Sequence, residues 1–168
     1  NRDDLLNPSK GIFASLFAEP AYDTLNSNAM GFVKGTVSSY YALDESKRFI
    51  LAGKATAGSI FAPSVESVPA SRRFIAGGGG SIRGYAYRNV GPRLDGEVIG
   101  GRSLIELSGE IRVKITETIG IVGFVDAVRG RAVAHEAIHP DRREIVARAA
   151  EVFLAGKVTV APLASLTV

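Results

Sequence analysis

Apolar and polar side chains alternate along much of the first 127 residues, a two-residue period that sends neighbours to opposite faces of an extended strand. The clearest run is Leu104 to Ile115. Ile105, Leu107, Ile111, Val113 and Ile115 share one face, while Glu106, Ser108, Glu110, Arg112 and Lys114 share the other. After a tight turn at Thr116-Glu117, Ile119 to Asp126 sets Ile119, Ile121 and Val125 against Phe124 and Asp126. Upstream, Ile12 to Glu19, Gly31 to Tyr41 and Phe49 to Ser59 alternate in the same way, separated by polar turns at 23–28 and 44–47. The pattern predicts an all-β fold, an antiparallel meander of five strands.

Two architectures satisfy this alternation. A soluble sandwich buries the aliphatic face and wets the charged one. A membrane barrel turns the aliphatic face to lipid and the charged face to a watery lumen. Three features point to the barrel. The strands run for about 9–12 residues, the length a tilted strand needs to cross a bilayer. The connections alternate between short turns and one very long loop. Several apolar faces are built from Gly, Ala and small aliphatics, with Tyr41 and Phe49 near strand ends where interfacial aromatics belong. Five strands do not close a membrane barrel, whose smallest common form has about eight, so on the barrel reading the chain is a fragment of a larger barrel.

The long loop, residues 63–97, follows neither a strand nor a helix period, and loops of this length in compact domains usually carry a function. At its centre stands Gly77-Gly78-Gly79-Gly80-Ser81-Ile82-Arg83-Gly84-Tyr85, which presents one cation and one aromatic ring from a glycine-rich turn. A phosphate-binding loop is a weak alternative, because no Lys-Ser/Thr follows and no strand-loop-helix context surrounds the glycines. Glu106 and Glu110 share an inward face, where paired carboxylates can do acid-base work. Arg112 and Lys114 lie on that same face, which makes a charged lumen wall the better reading.

Composition narrows the classes further. A chain of 168 residues is normally one domain. A net charge of +3, with no basic stripe interleaved with aromatics, gives no case for a nucleic-acid partner. Cys is absent, so there is no disulfide framework. No run of about 18 apolar residues exists to make a transmembrane helix.

Ile82-Arg83-Gly84-Tyr85 resembles the signature of the bacterial surface antigen superfamily, outer-membrane insertion and translocation factors that include BamA, TamA and the two-partner secretion pores. Arg72-Arg73-Phe74, Tyr87-Arg88-Asn89-Val90-Gly91-Pro92-Arg93, Gly100-Gly101-Arg102-Ser103-Leu104 and Phe124-Val125-Asp126 extend the resemblance over about Asn7 to Ala127, with wording nearest TamA. The resemblance implies a partial outer-membrane barrel over 1–127, the C-terminal part of the family's transmembrane β-barrel, whose loop folds inward. It further implies a tether from Arg83 of the loop motif to Asp126 of the wall motif, no cofactor and no enzymatic step. The location would be the outer membrane of a Gram-negative bacterium. The implied partners are the lipid bilayer, client outer-membrane proteins such as autotransporters, and a TamB-like periplasm-spanning protein. The family's wall motif reads Phe-x-Asp-x-Gly, and this chain has Val128 at its last position. With no initiator Met and no signal peptide, the chain is expected to have lost its N-terminal end with its targeting segment.

After Ala127 the composition shifts to Ala, Arg and Val, and residues 128–168 are expected to form a divergent tail, partly helical or disordered. Pro140-Asp141-Arg142-Arg143-Glu144 reads as a helix start, Ile145, Ala149, Val152 and Phe153 recur at helical spacing, and Gly156 would end that helix. Val158-Thr159-Val160 would make a short strand. A junction or frameshift near Ala127 would produce such a change. The tail also holds His135-Glu136-Ala137-Ile138-His139, which matches the zinc-peptidase pattern, two imidazoles four apart with a Glu as general base. Pro140 directly after His139 disfavours the helical backbone that such a site needs. A zinc peptidase is therefore the rival reading from another functional class.

Overall fold

The long alternating runs become strands of 12 to 15 residues. The structure, a computed structural model, describes residues 2–4, 7–25, 27–116, 118–131 and 150–162. In chain order the strands are β1 (Gly11–Asp23), β2 (Asn28–Ala42), β3 (Phe49–Phe61), the two-residue strands β4 (Arg93–Leu94) and β5 (Glu97–Val98), then β6 (Ser103–Lys114), β7 (Ile119–Arg131) and β8 (Ala150–Pro162). Six of them form one antiparallel sheet in the order β1-β2-β3-β6-β7-β8, and β4 pairs with β5 apart from it. A strand of 13 residues, at about 3.3 Å per residue and tilted by about 45°, rises about 30 Å, the thickness of a bilayer's hydrocarbon core. Among the described residues no helix is long and apolar enough to cross a membrane, so any crossing falls to these strands.

The sheet is inside out by the standard of a water-soluble protein. On β6, Ile105 and Leu107 are 51% and 54% exposed, whereas Glu106 and Glu110 are only 7% exposed. Arg112 and Asp126 are buried beside them, while Val37, Leu51, Ile111 and Val125 face outward. Exposed Tyr41 and Phe49 at one end of the strands, and Tyr22 and Phe61 at the other, bracket this aliphatic band. A sandwich buries the opposite face; a barrel wall in lipid presents this one.

The short turns are closed by side chains. Asp44 accepts the N–H groups of Arg48 and Phe49 and the Ser46 hydroxyl between β2 and β3. Thr116 Oγ1 accepts the N–H groups of Thr118 and Ile119 between β6 and β7. Residues 62–102 instead fold back over the charged face. Their backbone makes its own short ladders, Phe74 with Gly101 and Ala76 with Val90, each by a reciprocal pair of bonds of 2.8–2.9 Å.

Three sequence expectations change here. The sheet has six strands instead of five. β7 runs through Ala127 and Val128 to Arg131, although alternation was expected to stop at Ala127. Residues 150–156, expected to finish a helix at Gly156, belong to β8, which pairs with β7 from Ile119↔Pro162 to Arg131↔Ala150. The physical reason is the edge of β7. An unpaired row of backbone N–H and C=O groups is not tolerated in lipid, and a thirteen-residue partner satisfies it. The residues 132–149, including His135, Glu136 and His139 and the expected helix start at 140–144, lie outside the described residues.

Candidate functional site

Two-residue alternation on β6 and β7 lines up Glu106, Ser108, Glu110 and Arg112 with Phe124, Asp126 and Val128 on the inner face. The register makes Ser108 opposite Asp126 and Glu110 opposite Phe124. The loop brings Arg83 down onto this row. Its guanidinium grips Asp126 with two parallel bonds, Nε to Oδ2 at 2.8 Å and Nη2 to Oδ1 at 2.7 Å. The Arg83 backbone N–H adds a third bond to Oδ2 at 3.0 Å. Nη1 reaches Glu110 Oε2 at 2.6 Å and Nη2 reaches Ser108 Oγ at 2.9 Å. The Ser108 hydroxyl donates to Asp126 Oδ1 at 2.6 Å, and the guanidinium carbon lies 3.7 Å from the centre of the Phe124 ring. Such a fork is specific to arginine, because lysine offers a point charge without the planar geometry.

Asp126 is only 1% exposed at its side chain and Arg83 21%. Burial works against the Arg83 charge, but the hydrogen bonds to Asp126 and Glu110 outweigh it and hold the guanidinium's pKa above the usual arginine value. Glu110 also accepts from Arg112 Nε at 2.5 Å, and Arg112 sits over the Tyr40 ring, 5.7 Å from its centre. Asp126, Arg83, Glu110 and Arg112 therefore alternate in charge, and each carboxylate is occupied by a cation.

The turn that carries Arg83 is set by its neighbours. Ile82 is fully buried with Ala76, Val90, Leu104 and Val128, so the side chain before the arginine is a hydrophobic plug. Ser81 donates to Glu106 and accepts the Gly77 N–H. Gly77 has φ of +119°, and a Cβ there would come within 2.2 Å of the Ala86 carbonyl oxygen. Gly78 and Gly84 also have positive φ, and the Gly78 N–H is held by the Tyr85 carbonyl. Gly79 and Gly80 have neither constraint, and nothing lies within 4 Å of a Cβ added to either. The Gly80 carbonyl accepts a bond from Lys54 Nζ at 2.9 Å. Tyr85 is partly exposed.

Of the residues singled out in the sequence, the structure brings together Arg83, Asp126, Phe124, Ile82 and Gly77, with Gly78 and Gly84 in the turn behind them. Sequence reasoning did not assign Ser108, Ser81 or Glu110 to the arginine's surroundings. For Ser108 and Glu110 the signal was present, since both share a strand face with Glu106 and Arg112. No local pattern announced Ser81. Among the described residues no group of three His, Cys, Asp or Glu side chains could hold a metal ion.

Where the wall pattern has glycine, Val128 is buried in the cluster around Ile82. The valine lengthens the hydrophobic contact between loop and wall, and β7 passes through it without a break.

The fold finds a counterpart among known proteins. The crystal structure of BamA from Haemophilus ducreyi lacking POTRA domains 1-3 superposes with a TM-score of 0.78 at 21% identity, over 95% of this chain and 34% of that one. The chain thus spans about a third of the length of that truncated chain, and at this identity the likeness carries the fold alone. A family model described as the Omp85 superfamily domain matches residues 1–135, which contain the loop, Arg83 and Asp126. The chain therefore belongs to the Omp85 superfamily, the BamA- and TamA-like proteins of the Gram-negative outer membrane.

Proposed function

We propose that this chain is part of a factor that inserts or translocates other proteins at the outer membrane, with the long loop locked to the barrel wall as its working conformation. The observation that carries this reading is the Arg83 anchor. One loop arginine engages two carboxylates, a hydroxyl and a ring on two adjacent strands. That is far more than a solvated loop residue needs. The anchor holds a state; it performs no bond chemistry, and the reading requires no cofactor. Of the loop-motif residues Gly77, Gly78, Gly79, Gly80, Ile82, Gly84 and Tyr85, the turn that delivers the arginine depends on the positive φ of Gly77, Gly78 and Gly84, the buried Ile82 and the Tyr85 carbonyl, while Gly79 and Gly80 only span its tip.

The wording of the motifs supports a TamA-like role, with autotransporters as clients and a TamB-like periplasm-spanning partner. A general assembly factor of the BamA kind is the second reading, favoured by the fold similarity. The test is Arg83→Ala in the protein reconstituted in lipid vesicles, with insertion of a client barrel followed by its protease protection. Loss of insertion with the sheet intact supports the reading, and unchanged insertion refutes it. An autotransporter client and a general porin-type client, run side by side, separate the two branches.

A further inference from the structure

The loop carries a second arginine arranged like the first. Arg72, at the end of the short 3₁₀ turn Ala70–Arg72, donates from Nη2 to Glu19 Oε1 at 2.7 Å, and its guanidinium carbon lies 4.3 Å from the centre of the Phe32 ring. Glu19 and Phe32 face one another across β1 and β2. Each arginine is therefore matched by a carboxylate and an aromatic ring that face one another across neighbouring strands: Glu110 and Phe124 on β6–β7 for one, with Asp126 beside them, and Glu19 and Phe32 on β1–β2 for the other.

Each also stands beside its own hydrophobic plug. Ile82 fills the cluster with Leu104 and Val128, and Val68 fills a separate cluster with Phe32 and Ile60. Both plugs are 0% exposed. Phe74 touches both clusters, and its ring lies against the backbone of Gly58 on β3, where a Cβ would come within 2.6 Å. Between the plugs the segment is stiffened by Arg73, which bonds the carbonyls of Val68 and Ile99, and by the Phe74–Gly101 pair.

We propose that the loop is fastened to the inner face at two separable points, and that Arg72 is the positioning residue of the second. On this assignment the Arg72 pair sets how readily the segment 63–72 lifts from β1–β3 while Phe74 and the Arg83 turn stay docked. The two anchors differ in strength for a visible reason. The Arg72 and Glu19 side chains are 42% and 37% exposed, whereas Asp126 and Glu110 are nearly fully buried. An ion pair in water is weak and easily broken. The Arg72 point is the one that opens first. Its meaning for client entry rests on the function proposed above: lifting this segment would uncover the β1–β3 part of the inner face without releasing the motif.

The chain has no cysteine, so a single introduced thiol reports on one site. Val68→Cys and Ile82→Cys each place one thiol in one plug of the full chain in lipid vesicles, and alkylation by a maleimide measures how often that plug opens. Arg72→Gln is expected to speed alkylation at 68 about five-fold or more, the scale of a half-exposed ion pair plus a cation–ring contact, and to leave 82 unchanged. The exchange Arg72→Glu with Glu19→Arg is expected to restore the slow rate, because an arginine at 19 still stands beside Phe32. Glu19→Gln gives the same comparison with Arg72 in place should the first variant fold poorly. If both thiols respond together to Arg72→Gln, or if neither responds, the two-anchor assignment is wrong. Alkylation needs no client, so a factor that inserts nothing would refute the functional reading and leave this test standing.

Discussion

Asp126→Asn keeps the shape of the anchor and removes its charge. In the native arrangement the carboxylate accepts three bonds from Arg83 and one from Ser108, all four between 2.6 and 3.0 Å. Every incoming group at Asp126 is a donor. An asparagine replaces one acceptor oxygen with an amide that is itself a donor, so at least one bond becomes a donor facing a donor. Removing one partner of a buried charge pair costs about 3–5 kcal/mol. Here Glu110 keeps its bond to Nη1 and the arginine is 21% exposed, which argues for the lower end, about 3 kcal/mol. At about 1.4 kcal/mol per factor of ten, the turn should be undocked roughly a hundred times more often. Hydrogen exchange of the Ala76 and Val90 amides, which pair with each other, reads that opening directly. The expected result is exchange faster by about two orders of magnitude at these amides, with the β2–β3 ladder unaffected. Glu110→Gln should produce a smaller effect, since Asp126 retains the parallel grip. Unchanged exchange in Asp126→Asn, or an equal effect from Glu110→Gln, would refute the argument that the two-bond fork dominates.

Three further outcomes follow from the same geometry. Gly77→Ala should destabilise the loop by more than about 1–3 kcal/mol, because positive φ adds to a near-collision with the Ala86 carbonyl, whereas Gly79→Ala and Gly80→Ala should stay within about 0.5 kcal/mol; limited proteolysis of the loop distinguishes them. Val128→Gly, which restores the family pattern, should cost about 2–4 kcal/mol by emptying the cluster around Ile82, measured as a shift in the unfolding midpoint. Asp44 is held below the usual aspartate range first by the Ser46 hydroxyl and then by the backbone N–H groups of Phe49 and Arg48. Its folded pKa lies below the unfolded value of about 3.9, so its contribution is full above that pH and is lost as pH falls through the folded value. Protection of the Phe49 amide, its observed exchange divided into the intrinsic rate at the same pH, should therefore hold down to about pH 4 and fall only below it; a loss of protection already near pH 6 would contradict this.

Most of the sheet was legible because a half-lipid, half-charged wall writes itself in a strict two-residue period. On β6 the faces could be assigned residue by residue. Which face is covered could not, since a sandwich and a barrel share the pattern; the exposures of Ile105 and Glu106 decide it. β8 was legible only at Val158-Thr159-Val160, expected as a short strand; its first half was missed because Ile145, Ala149, Val152 and Phe153 fit a helical spacing. Within the loop, Asp95-Gly96 between Arg93-Leu94 and Glu97-Val98 is a two-residue hairpin signal that the aperiodic composition around it obscured; both central residues have positive φ, as that turn requires. The pairing of Arg83 with Asp126 came from family wording. Forty-three residues separate the two, and no local rule links them.

The placement of the hydrophobic clusters bears on what the loop is. A soluble β protein finds its core between sheets; here the buried apolar clusters around Ile82 and Val68 are each made half by the loop and half by the wall. The same holds for charge. Glu106 is met by Ser81, Glu110 and Asp126 by Arg83, all from the loop. Without residues 62–102, the three carboxylates Glu106, Glu110 and Asp126 would lose every partner that the loop supplies, and both clusters would lose their plugs. Large excursions of the whole loop therefore cost several interactions at once, whereas lifting one anchored segment costs few. A moving part in this wall would accordingly be a piece of the loop, hinged near Phe74 where the two clusters meet, and not the loop as a rigid cork.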